Sequence, residues 1–186
     1  MKKETVCFID MDNVLSDNDY QVFQMIGRSP KGLRNKNPEN LTNEERFTLF
    51  EESQLINFSE QYWRTMPARL DSEKLIDDCL KRYDSVKIIS SYIPPIGIPN
   101  KILYIRQYKI RWLFEKFGDK VDLDDIIVSK YTKSSHMENN KINVLISNDL
   151  DEIKKWRTSG GIGFLYNDYK QFNCLMNGRT SHGQER

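Results

Sequence analysis

Two aspartates separated by one residue, Asp10 and Asp12, close a short apolar run, and three later places carry groups suited to the same chemistry. These are Ser90 with Ser91, Lys130 with Lys133, and Asn148 with Asp149. A carboxylate can attack phosphorus to give an aspartyl-phosphate, splitting one hard displacement into two easier ones. Two anions approach each other in that step, so a cation has to offset their repulsion. Mg2+ favours carboxylate oxygen and keeps several waters, which suits Asp10, Asp149 and a backbone carbonyl as its ligands. An acid two residues on lies on the same side of an extended backbone as Asp10. There it can protonate a leaving oxygen and then activate water. A serine hydroxyl and a lysine ammonium would hold the remaining phosphoryl oxygens as charge develops.

All four places follow stretches that read as strands. Apolar, β-prone runs occur at 5–9, 86–89, 126–128, 144–146 and 162–166, continuous rather than alternating, as in strands buried on both faces. Helical patterns at 72–82, 105–117 and 150–157 fall between several of them. Strand and helix in alternation predict a doubly wound α/β fold around a parallel sheet, whose ligands bind at the carboxyl ends of the strands. Residues 16–70 break that rhythm: a polar stretch at 28–40 precedes expected helices at 43–54 and 59–65, the first with a capping box at Thr42 and Glu45. The expected organisation is a catalytic core of 1–15 and 71–186, with 16–70 inserted as a small helical cap.

Composition narrows the partners. The 186 residues carry 28 Lys and Arg against 27 Asp and Glu, a net charge of +1. A duplex-binding surface needs a clear basic excess, so none is expected. Cys7, Cys79 and Cys174 are odd in number and have no paired spacing, which speaks against a disulfide framework or a zinc site and for a reduced, cytoplasmic setting. No stretch approaches the about 20 apolar residues of a membrane span, and the opening residues break any leader-like apolar run with aspartates. The tail beyond Asn177 is polar and expected to fray.

The segment Val6-Cys-Phe-Ile-Asp10-Met-Asp12-Asn-Val14-Leu resembles the opening motif of the haloacid-dehalogenase-like (HAD) hydrolases, an apolar strand followed by Asp-x-Asp-x-Val/Thr. Ile88-Ile-Ser90-Ser, a lysine near 130–133 and an apolar strand running into Asn148-Asp149 resemble that superfamily's other motifs, in the same order. Within it the chain looks most like the 5'(3')-deoxyribonucleotidases and their bacterial and phage relatives. Asp-Met-Asp-x-Val-Leu, the helical segment after it, Lys109-x-x-Trp112, and Trp156 followed by Gly160-Gly161-Ile-Gly-Phe-Leu-Tyr carry that likeness. It implies a Rossmann-like three-layer core and a Mg2+-dependent phosphatase, with Asp10 as nucleophile and Asp12 as acid/base. Ser90 would bind the phosphate with Ser91 beside it. Lys133, with Lys130 as the alternative, would be the motif lysine. Asp10, the Asp12 carbonyl and Asp149, with Asn148, would hold the metal.

The pattern departs from the family at two places. Asn13 stands where Gly is common, and Asn tolerates the backbone angles of such a turn. The usual acidic pair is replaced by Ser147-Asn148-Asp149, and counting back from Trp156 puts Ser147-Asn148 at that pair with Asp149 one place late.

Simpler readings stand beside these. Asp10 and Asp12 could cap a turn, and Asp149 could cap the helix that follows it. Phe58, Tyr62, Trp63 and Met66 could stack on a nucleobase or form the interior of the cap, and Lys109 is a further substrate candidate. Trp112 and Trp156 read as packing residues, and the 160–163 glycines as a tight connection rather than a dinucleotide motif. The expected activity is hydrolysis of a small phosphomonoester, foremost a nucleoside monophosphate, with a homodimer compatible with the reading. A polynucleotide 3'-phosphatase, a catalytically impaired module that binds nucleotide or protein, and a metal-free dehalogenase are the alternatives.

Overall fold

The computed structural model describes residues 3–33, 36–92 and 101–176, apart from the side chains of 57–58 and 101–103. Its centre is strand β1, Thr5–Asp10, buried from Val6 to Asp10. β1 pairs in parallel with β2 (Ser85–Ser91) on one side and β4 (Ile142–Ser147) on the other. β3 (Ile126–Ser129) and β5 (Ile162–Leu165) are the outer strands, giving the order β3-β2-β1-β4-β5. Every pairing is parallel. Apolar residues therefore face both ways, as the continuous runs of the sequence require. Cys7 and Ile9 join a large apolar cluster with residues of α4 (Ser72–Arg82) and α5 (Lys101–Phe117). Val6 and Phe8 join a second, on the opposite face, with Ile153 and Trp156 of α6 (Leu150–Thr158). This is a three-layer α/β sandwich. Phe8 and Trp156 meet edge to face at 5.1 Å, a favoured aromatic geometry. Trp112 and Trp156 are buried, as packing residues should be.

The parallel register aligns the strand ends. Asp10 lies opposite Ile89, and Ile9 opposite Ile146, so the residue after each pairing opens on one edge of the sheet. The chain leaves that edge through a tight turn. The Met11 carbonyl accepts the amides of Val14, Leu15 and Ser16, and Asn13 takes a φ of +59°. Asn is among the few non-glycine residues at ease there, and its side-chain oxygen accepts the amide of Asp19.

Three helices follow before the core resumes: α1 (Asn18–Ile26), α2 (Asn43–Phe58) and α3 (Glu60–Arg64). α2 opens on the expected capping box between Thr42 and Glu45. The outgoing and returning chains are stitched together, the Asp17 amide donating to Pro67 O at 2.9 Å and the Arg69 amide to Leu15 O at 2.8 Å. α2 and α3 pack on α5, and Tyr62, Trp63 and Met66 belong to the same apolar cluster as the sheet. A last helix, α7 (Tyr169–Met176), closes the described chain, with Phe172 buried. No helix among the described residues is long and apolar enough to cross a membrane.

Candidate active site

Asp10 ends β1 and is 3% exposed. Its Oδ2 accepts Lys133 Nζ at 2.6 Å and Ser147 Oγ at 2.6 Å. Ser147 ends β4, the strand beside β1, and Lys133 begins a 3-10 turn after β3. Burial raises the Asp10 pKa above the usual carboxylate range, Asp12 adds to the rise, and Lys133 and Ser147 oppose it. For Lys133 burial acts downward, but the charge and hydrogen bond of Asp10, with the charges of Asp12 and Glu152, oppose it and the net direction is up. The lysine thus stays charged, and its charge favours the ionised form of the Asp10 carboxylate.

Asp12 is half-open, its side chain 33% exposed. Its Oδ2 accepts Lys109 Nζ at 2.6 Å and Ser90 Oγ at 3.1 Å. Lys109 reaches over from α5 and also donates to Ser90 Oγ and to the Ser91 carbonyl, each at 2.8 Å. These partners engage all three N–H donors of an ammonium. The Trp63 ring lies 5.3 Å from Lys109 Nζ, within cation–π range. Arg69, from the returning chain, donates to the Asn13 carbonyl at 3.3 Å. Each acid therefore holds one buried lysine and one hydroxyl, four groups drawn from four different elements.

The sequence-based candidates fall into three groups. Asp10, Asp12, Ser90, Lys133 and Lys109 converge. Of the two candidate motif lysines, Lys133 is the one on Asp10, whereas Lys130 is exposed and lies over the Tyr131 ring. Ser91 contributes its carbonyl, with its side chain exposed. Asp149 is not drawn into the pair. Its carboxylate caps α6, accepting the amides of Asp151 and Glu152 at 2.9 and 3.1 Å, because the helix begins one residue beyond it and leaves those donors without intrahelical partners. Asn148 is exposed at the end of β4. Trp63 is only 2% exposed and donates its indole N–H to Ile56 O, so its ring packs inside the molecule and does not offer a face to a base. The Phe58 side chain lies outside the described residues.

Two contributors escaped the motif reading. Ser147 entered it only as a stand-in for an acid, yet it donates to the Asp10 carboxylate, brought there because the preceding Ile146 pairs with Ile9 on the adjacent strand. Arg69 lies in a loop without any pattern and is brought to the turn only by the chain's return.

Magnesium fits this donor set in a limited way. Asp10, Asp12 and the Asn148 amide are hard oxygen donors at one sheet edge, and both hydrogen bonds to Asp10 fall on Oδ2. Mg2+ is commonly held by one or two carboxylates, waters and substrate oxygens, and that number is present. A closed protein cage is not: no group of three or more His, Cys, Asp or Glu able to hold a metal occurs among the described residues.

The architecture is that of the HAD hydrolases, an α/β Rossmann-like fold with five parallel strands. A hydrolase from Streptococcus pneumoniae superposes with a TM-score of 0.52 at 11% identity, covering 95% of this chain and 100% of that one. A HAD hydrolase from Bacillus subtilis, solved bound to magnesium, superposes with a TM-score of 0.54 at 14% identity, again over 95% and 100%. At such identities the likeness speaks for the fold. No protein-family model and no curated protein matches the sequence.

Proposed function

We propose that this protein hydrolyses a phosphomonoester through a covalent intermediate on Asp10. The observation that carries the reading is the convergence of two acids, each held by its own lysine and serine, at the carboxyl edge of a parallel sheet. Ligands in open α/β sheets bind at that edge. Lys133 and Ser147 hold Asp10 Oδ2 and fix the carboxylate for attack through its other oxygen. A bond forms from that oxygen to phosphorus, the ester P–O bond breaks, and the leaving oxygen takes a proton from Asp12. Asp12 then removes a proton from water, which attacks phosphorus and returns Asp10 and inorganic phosphate. Lys109 and Ser90 hold Asp12 at the station where both transfers occur. Mg2+, held by Asp10, Asp12 and Asn148, would offset charge between carboxylate and phosphoryl group.

A nucleoside 5'- or 3'-monophosphate is the substrate class favoured by the sequence resemblance, and the single excess positive charge argues against a polynucleotide. The test is phosphate release by the purified protein with Mg2+ from a panel of nucleoside and sugar monophosphates. Turnover that falls at least about 10^3-fold in Asp10→Asn supports the reading. Turnover that survives the substitution removes it. A second reading, a catalytically impaired module that binds nucleotide or protein, draws on Ser147 and Asn148 standing where an acidic pair would be. Binding without turnover on every ester would favour it.

A further inference from the structure

The site carries its own counter-cations. Asp10 is matched by Lys133 and Asp12 by Lys109, both lysines about 95% or more buried and both at 2.6 Å from their acids. Arg69 lies at the turn between the two acids and the inserted helices. Beside Asp10 on β4 stands Ser147, a hydroxyl that gives its proton to the carboxylate. The next acid along the chain, Asp149, spends its Oδ1 on two helix amides. Among the described residues each of the two acids is thus matched by its own lysine, which leaves little net negative charge on the pair to retain a divalent cation. A phosphate dianion supplies what is missing, two negative charges and hard oxygens. The cation in turn relieves the repulsion between that dianion and Asp10.

We propose that this site is built for joint occupancy: Mg2+ and a phosphorylated ligand bind interdependently, and neither is retained well alone. The proposal rests on the reading of the site as one for phosphomonoesters. Lys109 and Lys133, by neutralising the two acids, fix the metal's dependence on substrate. The proposal also assigns Asn148 a specific part. This exposed residue at the end of β4 is where a third carboxylate would convert joint occupancy into independent metal binding.

Calorimetry on the full chain tests this with MgCl2 and inorganic phosphate as the two probes. Each should bind at least about tenfold more tightly when the other is saturating, and by linkage the two factors must agree. Asn148→Asp should tighten Mg2+ binding in the absence of phosphate by about tenfold and reduce the linkage. Micromolar Mg2+ binding by the unmodified protein without phosphate would overturn the proposal. So would phosphate affinity unchanged by a chelator, or no phosphate binding under either condition. The two ideas fail separately. Turnover that persists in chelator removes joint occupancy and leaves the hydrolase, whereas linked binding without turnover on any ester removes the hydrolase and leaves joint occupancy.

Discussion

At the scale of single residues, the balance around Asp10 decides what the site can do. A carboxylate almost fully withdrawn from water is costly to ionise, and Lys133 supplies the opposing charge. Removing one member of such a pair leaves the other buried and uncompensated, at about 3–5 kcal/mol. Lys133→Met should therefore both lower stability by about that amount and abolish turnover, because Asp10 then holds its proton. Denaturant unfolding and the phosphatase assay read the two effects on the same sample. Unchanged stability would mean that the Asp10–Lys133 contact is not the support described. Asp10, Asp12, Ser90 and the motif lysine were legible because their chemistry is carried by residue type at the end of an apolar run. Asp149 was legible both as an acid suited to the metal and as a helix cap, and the start of α6 turns its carboxylate to the helix amides. The partnership of Ser147 with Asp10 depends on which residue the neighbouring strand sets opposite, and register is not written in either strand alone.

At the scale of elements, strands and core helices were readable because burial imposes a pattern, continuous apolar runs in the strands and a helical repeat in the helices. α1 shows where that fails. Its buried residues are Asn18, Gln21 and Val22, while Tyr20 and Phe23 are about half exposed. The inward face is polar because it meets polar partners: Tyr62 donates its hydroxyl to Asn18, and Gln21 donates to the Tyr62 carbonyl and to Thr65. A search for an apolar stripe passes over such a helix. α2, by contrast, announces its start through Thr42 and Glu45, which exchange reciprocal hydrogen bonds. Thr42→Ala should cost about 1 kcal/mol of stability and leave kcat unchanged, since the cap touches none of the site residues. A shift in denaturation midpoint with constant kcat is the expected result. A fall in kcat would tie the α2 terminus to the chemistry.

At the scale of the whole molecule, the inserted helices and the sheet share one interior. Tyr62, Trp63 and Met66 lie in the apolar cluster of Cys7, Ile9 and Trp112, and the Trp112 indole N–H bonds Met66 O at 2.8 Å. Lys109 lies between Trp63 and Asp12, so the contact that positions the acid runs through the same interior. Unfolding should accordingly be one cooperative event. Tryptophan fluorescence, reporting Trp63, Trp112 and Trp156 on three helices, and far-ultraviolet circular dichroism should give coincident urea transitions. Separate midpoints would mean that the inserted helices melt independently.

The account turns on covalent chemistry at Asp10, and trapping that intermediate tests it most directly. The protein is mixed with a turned-over phosphomonoester labelled in its phosphate, quenched in acid within one turnover, and digested. The expected result is label on the peptide that contains Asp10, absent in Asp10→Asn. Release of labelled phosphate with no labelled peptide, or label on another residue, would contradict it.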